Sequence, residues 1–164
     1  MIRRLIILSL IVGGYAQELP SQIIIDQMSD IEKKQLYNDN SKKPLLAGIL
    51  DLGISLGGIS QLNILVFGGI PSLGHAYTNN WKRGVSLGLS TWAYSLIGLF
   101  NPHLGYTIIY SGHLLQAQDA IYLANQYNAE LYKNIYGKEY IRPPKKSIIQ
   151  KIIDKKEAKK TNPL

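Results

Sequence analysis

Apolar positions along the chain collect in blocks rather than spreading evenly. The first block is short, residues 5–13, behind the basic start Met1-Ile-Arg-Arg4 and ahead of Gly14-Tyr15-Ala16. Small residues three and one positions before Gln17 are the pattern of a secretory signal peptide cleaved after Ala16, residues 1–16. An uncleaved anchor is the alternative, although about nine to twelve apolar residues is short for a span. Residues 17–43 are polar. Ser29-Asp-Ile-Glu32 predicts the start of one helix there, with acids in its first turn, and Asn38-Asp-Asn-Ser41 predicts a turn.

The second block, residues 45–70, would run ~39 Å as one helix, longer than a ~30 Å hydrocarbon core. Gly53, Gly57, Gly58, Gly68, Gly69 and Pro71 interrupt it or border it, and Gln61 and Asn63 lie in its middle. The expectation is a span over residues 44–59, then a break and a half-helix or re-entrant piece toward Pro71. A polar loop over 78–84 follows, with Trp81 beside Lys82 and Arg83, an interfacial aromatic next to basic residues. Residues 85–100 form a second span, 101–105 a turn, and 106–115 the start of a third. Beyond it Ala120, Leu123, Ala124, Tyr127, Leu131 and Ile135 recur at helical spacing. The third helix therefore leaves the membrane near Gln116 and continues as an amphipathic helix to Tyr136, where Gly137 ends it. Pro143-Pro144 breaks the chain again. In 147–160, Ile148, Ile149, Ile152 and Ile153 among lysines suit a helix on an anionic membrane surface, with a disordered basic tail as the equal alternative. The fold class expected is an all-α membrane protein with about three transmembrane helices, divided into a leader (1–16), a polar extracytoplasmic segment (17–43), a helical membrane domain (44–136) and a basic tail (137–164).

Charge sharpens this picture. Between Pro44 and Gln118 the charged residues are Asp51, Lys82 and Arg83, with Asp119 one place beyond; residues 130–164 carry ten Lys or Arg against four acids, most of the net +7. Such a tail binds nucleic acid or anionic lipid. Beside an apolar block, lipid contact or topology control is the favoured use, and nucleic acid is not expected. With a cleaved leader, three spans put the Lys82-Arg83 loop and the tail inside, which agrees with the positive-inside bias and predicts a bacterial inner membrane; an outer-membrane destination is the alternative. The chain has no cysteine, which removes disulfides, thiolate metal sites, Cys nucleophiles and lipoprotein anchoring.

Asp51 is the sharpest candidate site, because an ionisable residue in a span is costly and often carries ions or protons. It can equally sit near the interface, stay neutral or pair with a neighbouring helix. His113 lies in the third span, placed to hydrogen-bond across helices, and Asp119 marks the membrane exit. His75, His103 and His113 have no metal-ligand spacing. No Ser-His-Asp order, paired carboxylates or H-E-x-x-H motif is present, so the expectation is a protein that is not an enzyme and has no cofactor. Gly53/Gly57 and Gly84/Gly88 give small-x-x-x-small pairs for helix packing, within the monomer sooner than between copies.

The stretches Lys43-Pro-Leu-Leu-Ala-Gly-Ile-Leu50, Ile70-Pro-Ser-Leu-Gly-His-Ala-Tyr77 and Trp81-Lys-Arg-Gly84, with Asp119-Ala120 later, resemble small bacterial multi-pass proteins similar to the transmembrane-two domain group. Pro71, Gly74, Tyr77, Trp81, Lys82, Arg83 and Gly84 are the motif and interface residues that the resemblance marks; Ser72 stands where that pattern has Gly, and the segment before Pro71 is longer than usual. The resemblance implies architecture and no activity. A weaker one, to the small helical channel-forming outer-membrane proteins of spirochaetes, implies a porin-like role. The leading expectation is a non-enzymatic membrane protein of structural or accessory role, in contact with lipid and with copies of itself or other membrane proteins; a channel is the alternative.

Overall fold

The computed structural model describes residues 19–56, 73–140 and 144–161. The leader, Gly57, Gly58, Gln61, Asn63, Pro71 and Pro143 lie outside them. Among the described residues seven α-helices follow in order: α1 Gln22–Gln27, α2 Asp30–Asn40, α3 Pro44–Leu56, α4 Leu73–Tyr77, α5 Trp81–Ser95, α6 Pro102–Tyr136 and α7 Ile148–Thr161, with a 3₁₀ segment Leu96–Leu99 closing α5. No strand is present among the described residues, so the all-α expectation is met.

Local chemistry sets several helix ends. Ser29 and Glu32 form a reciprocal capping box: the Ser29 hydroxyl accepts from the Glu32 amide, and the Glu32 carboxylate accepts from the Ser29 amide at 2.8 Å. Caps of this kind are worth about 1 kcal/mol. The turn expected at 38–41 comes later, because α2 runs through Asn40, whose side-chain amide donates to the Leu36 carbonyl at 2.9 Å. The loop expected over 78–84 ends at Asn80, so Trp81, Lys82 and Arg83 form the first turn of α5. Asn101 caps α6, Pro102 starts it, and Gly137 ends it in the left-handed conformation at φ 66°.

At 35 residues α6 is the central column, and α1, α2, α3, α4, α5 and α7 all pack on it. Small side chains make the approach close: Ala47, Ala120 and Ala124 form a fully buried core against which Tyr77 packs. Gly84 and Gly88 are buried within the chain. At Gly74 an added Cβ would sit 2.1 Å from the Ala47 carbonyl oxygen and 2.7 Å from Asp51 Oδ1, so only glycine lets α4 lie this close to α3.

The two flanks of the 44–72 stretch meet at one end of the bundle. The Lys43 amide donates to the Tyr77 hydroxyl at 2.9 Å. Beside it the Lys42 amide donates to Asn128 Oδ1 at 2.7 Å, and Asn128 Nδ2 donates back to the Lys42 carbonyl at 2.8 Å. The Tyr37 and Tyr132 rings meet edge-on at 5.8 Å. The chain thus leaves this end at Pro44 and is back at it by Tyr77; α5 leaves again and α6 returns. The expected odd count of passes would set these flanks apart. The polar segment 19–43 and the basic helix α7 lie at the same end of the bundle rather than at opposite ends. A correction concerns length, since no helix among the described residues is long and apolar enough to cross a membrane.

Replacing Gly74 by Ala forces α4 away from α3. The expected loss is about 3 kcal/mol, at the upper end of overpacking costs, and thermal unfolding of the purified variant measures it. An unchanged midpoint would mean that the contact yields freely.

Candidate functional site

Five helices each send a polar group to one buried point. Asp51 comes from α3, Gly74 and His75 from α4, Arg83 from α5, Asp119 from the middle of α6, and Ser147 and Gln150 from the start of α7. Asp119 is the hub, with no exposed surface. Its Oδ2 meets His75 Nε2 at 2.9 Å and accepts from Arg83 Nε at 2.7 Å; its Oδ1 accepts from Arg83 Nη2 at 2.6 Å and from the Ser147 hydroxyl. Asp51 takes the other side of the ring: its Oδ2 meets His75 Nδ1 at 3.0 Å, and its Oδ1 accepts from the Gly74 amide at 2.6 Å. The remaining Arg83 nitrogen donates to Gln150 Oε1 at 2.8 Å. Gln150 in turn donates to Asp154, which also pairs with Lys146.

Both ring nitrogens of His75 therefore face carboxylate oxygens. Ionised carboxylates only accept, so both bonds form together when the imidazole is protonated. The network then holds two negative and two positive groups and is neutral. Burial alone would lower the His75 pKa, but hydrogen bonds to Asp119 and Asp51, and their charges, raise it above the ordinary 6.5. Burial would raise Asp119, but bonds from His75, Ser147 and Arg83 hold it below the ordinary 3.8.

The geometry ties the five helices together. Ser147 donates to Asp119 and not to His75, so no base stands ready to take its proton in the manner of a Ser-His-Asp relay. Its oxygen also accepts from the Gln150 amide at 3.0 Å, which makes it the cap of α7. Among the described residues no group of three or more His, Cys, Asp or Glu is placed to hold a metal ion.

A second polar layer lies one turn before Asp119 on α6. Gln116 Nε2 donates to Thr91 Oγ1 at 2.8 Å and to the Leu87 carbonyl at 3.3 Å. His113, expected to bond across helices, is buried there with Nδ1 unpartnered.

Of the residues singled out from sequence, the fold brings together Asp51, Gly74, Arg83 and Asp119. Arg83 is not a free loop cation. Tyr77 lies beside them, its ring 5.0 Å under the Lys42 ammonium. Trp81 and Lys82 are exposed at the start of α5, and His103 is exposed at the far turn. Pro71 lies outside the described residues. Sequence reasoning weighed His75 only as a metal ligand and passed over Ser147 and Gln150. Ser147-Ile-Ile-Gln150 was readable as a capping signature, and His75 stands inside the motif 70–77. Compared with family models, curated proteins and solved structures, the chain matches none of them.

Asp119→Asn leaves His75 and Arg83 facing a neutral amide, and breaking such a buried pair typically costs about 3–5 kcal/mol. Denaturant unfolding measures it. The pH dependence follows from the two shifts. His75, raised in the folded chain, contributes stability that is complete below pH 6.5 and is lost as pH rises through its folded value. Asp119, lowered, contributes stability present above pH 3.8 and lost as pH falls through its folded value. Unfolding midpoints should therefore decline on raising pH above 6.5, and His75→Gln should remove that alkaline decline. A variant that keeps it would disprove the assignment to His75.

Proposed function

We propose that the protein is a small, non-enzymatic integral membrane protein of structural or accessory role, its helices held in register by the buried charge network. What carries the reading is an inverted polarity. Along α3, α5 and the first half of α6, Leu45, Ile49, Leu89, Tyr94, Leu104, Tyr110 and Leu114 are each 45 % or more exposed, and Phe100 at the far turn is 92 % exposed. Between the same helices Asp51, His75, Thr91, His113, Gln116 and Asp119 are buried. A chain folding in water places these classes the other way round. In hydrocarbon the arrangement is the favourable one, because polar groups find partners only inside.

Length bounds how deep the helices go. Residues 85–99 of α5 and its 3₁₀ extension reach ~22 Å, less than the ~30 Å hydrocarbon layer. The bundle therefore enters from one side, with the 101–103 tip reaching the opposite headgroups only where the bilayer thins. The meeting of the two flanks at one end supports an even passage. An accessory role has more support than a channel, because among the described residues the charged groups of the network, His75, Asp51, Asp119 and Arg83, are bonded to one another.

Alkaline carbonate extraction tests the embedding: the protein is expected in the pellet, and its release would count against it. Sidedness is tested on single-cysteine variants, which the cysteine-free chain permits. In intact vesicles Ser21→Cys and Thr161→Cys are expected to react with an impermeant maleimide from the same side. Reaction from opposite sides would restore the three-span arrangement.

A further inference from the structure

We infer that the outward face of α7 is a docking surface for the anionic headgroups of a bilayer. The inference rests on the membrane reading above and names the lipid chemistry it meets. α7 is fixed on its inner face, where Ser147 and Gln150 bond Asp119 and Arg83, and Asp154 holds Lys146. Ile149 and Ile153 are half-buried toward the bundle. The opposite face is presented outward. Ile148 and Ile152, one turn apart, are 45 % and 50 % exposed, and Lys151, Lys155 and Lys156 beside them are exposed.

A single exposed isoleucine is ordinary. Two at i, i+4 flanked by unpaired lysines form the pattern of a helix lying in an interface, with apolar side chains below the phosphates and ammonium groups level with them. The Arg83–Gln150 bond sets α7 beside the first turn of α5, where Trp81 is 57 % exposed with Lys82 next to it, an aromatic-basic pair of headgroup depth. Nucleic acid would use the lysines but leave the isoleucines wet. Anionic lipid uses both.

The test uses the full chain in nanodiscs with a spin label at Ile152→Cys, an exposed position in a chain without other cysteines. In neutral phosphatidylcholine the label should be more accessible to a water-soluble nickel chelate than to oxygen. With about a third phosphatidylglycerol the order should reverse, and high salt should restore it. Adding Lys151→Glu and Lys155→Glu should abolish the reversal. Equal depth in both lipids, or a label drawn into water by added RNA, overturns the inference. If carbonate releases the protein from membranes, the embedding fails alone. Flotation of the free protein with phosphatidylglycerol vesicles then decides. Binding that weakens about tenfold or more in the double Glu variant supports the surface, and absence of binding overturns it.

Discussion

A carboxylate taken wholly out of water must have its lone pairs filled, and Asp119 fills them from three different helices. His75 comes from α4, Arg83 from α5 and Ser147 from the start of α7; Asp51 on α3 completes the set through the far nitrogen of the same imidazole. The attraction among buried charges is largely offset by what desolvation costs. The larger consequence lies in the alternatives. A bundle with α4 shifted by one residue, or with α7 undocked, strands a charge in a dry interior. One arrangement satisfies every member, and Gly74 makes room for it by letting Asp51 reach the backbone amide beside His75.

Two helix ends were legible from sequence because they are decided within four residues: Ser29 with Glu32 starts α2, and Gly137 ends α6. Asn101-Pro102, read as opening a turn that runs to Gly105, instead caps and starts α6. The closure was not legible, because it joins Asp51 to His75 across 24 positions and His75 to Asp119 across 44. Nothing in periodicity registers such distances. Arg83 shows the difficulty well. Beside Trp81 and Lys82 it reads as a loop cation that sets orientation, yet it is the bidentate partner of Asp119. Asp51, by contrast, could be singled out, since an acid inside an apolar block has to find a partner.

The meeting of the two flanks at one end was not legible for a related reason. Hydropathy divides residues 45–70 by length alone, and charge was weighed by flank. The locks that decide direction are neutral hydrogen bonds: Lys42 with Asn128 through backbone and amide, and Lys43 with the Tyr77 hydroxyl. They bring the start of α3 to the end where α6 emerges from the bundle. Aromatic contacts repeat the message, as Tyr37 on α2 packs on Tyr132 of α6 and Tyr132 meets Tyr140 beyond it.

On the membrane reading proposed above, an even passage sets two expectations against each other that agreed while the count was three. A cleaved leader delivers residue 17 to the far side of the cytoplasmic membrane, and the basic tail now goes with it. The positive-inside bias would hold that tail in the cytoplasm. Lys33, Lys34, Lys42, Lys43, Lys82 and the α7 lysines all belong to one end, while the 100–104 tip carries no Lys or Arg. The bias acts on segments as the cytoplasmic membrane receives them. A chain exported whole and embedded afterwards is not bound by it. On that proposal the choice of membrane turns on the leader, because a chain exported whole is free of the bias and one inserted as it is made is not.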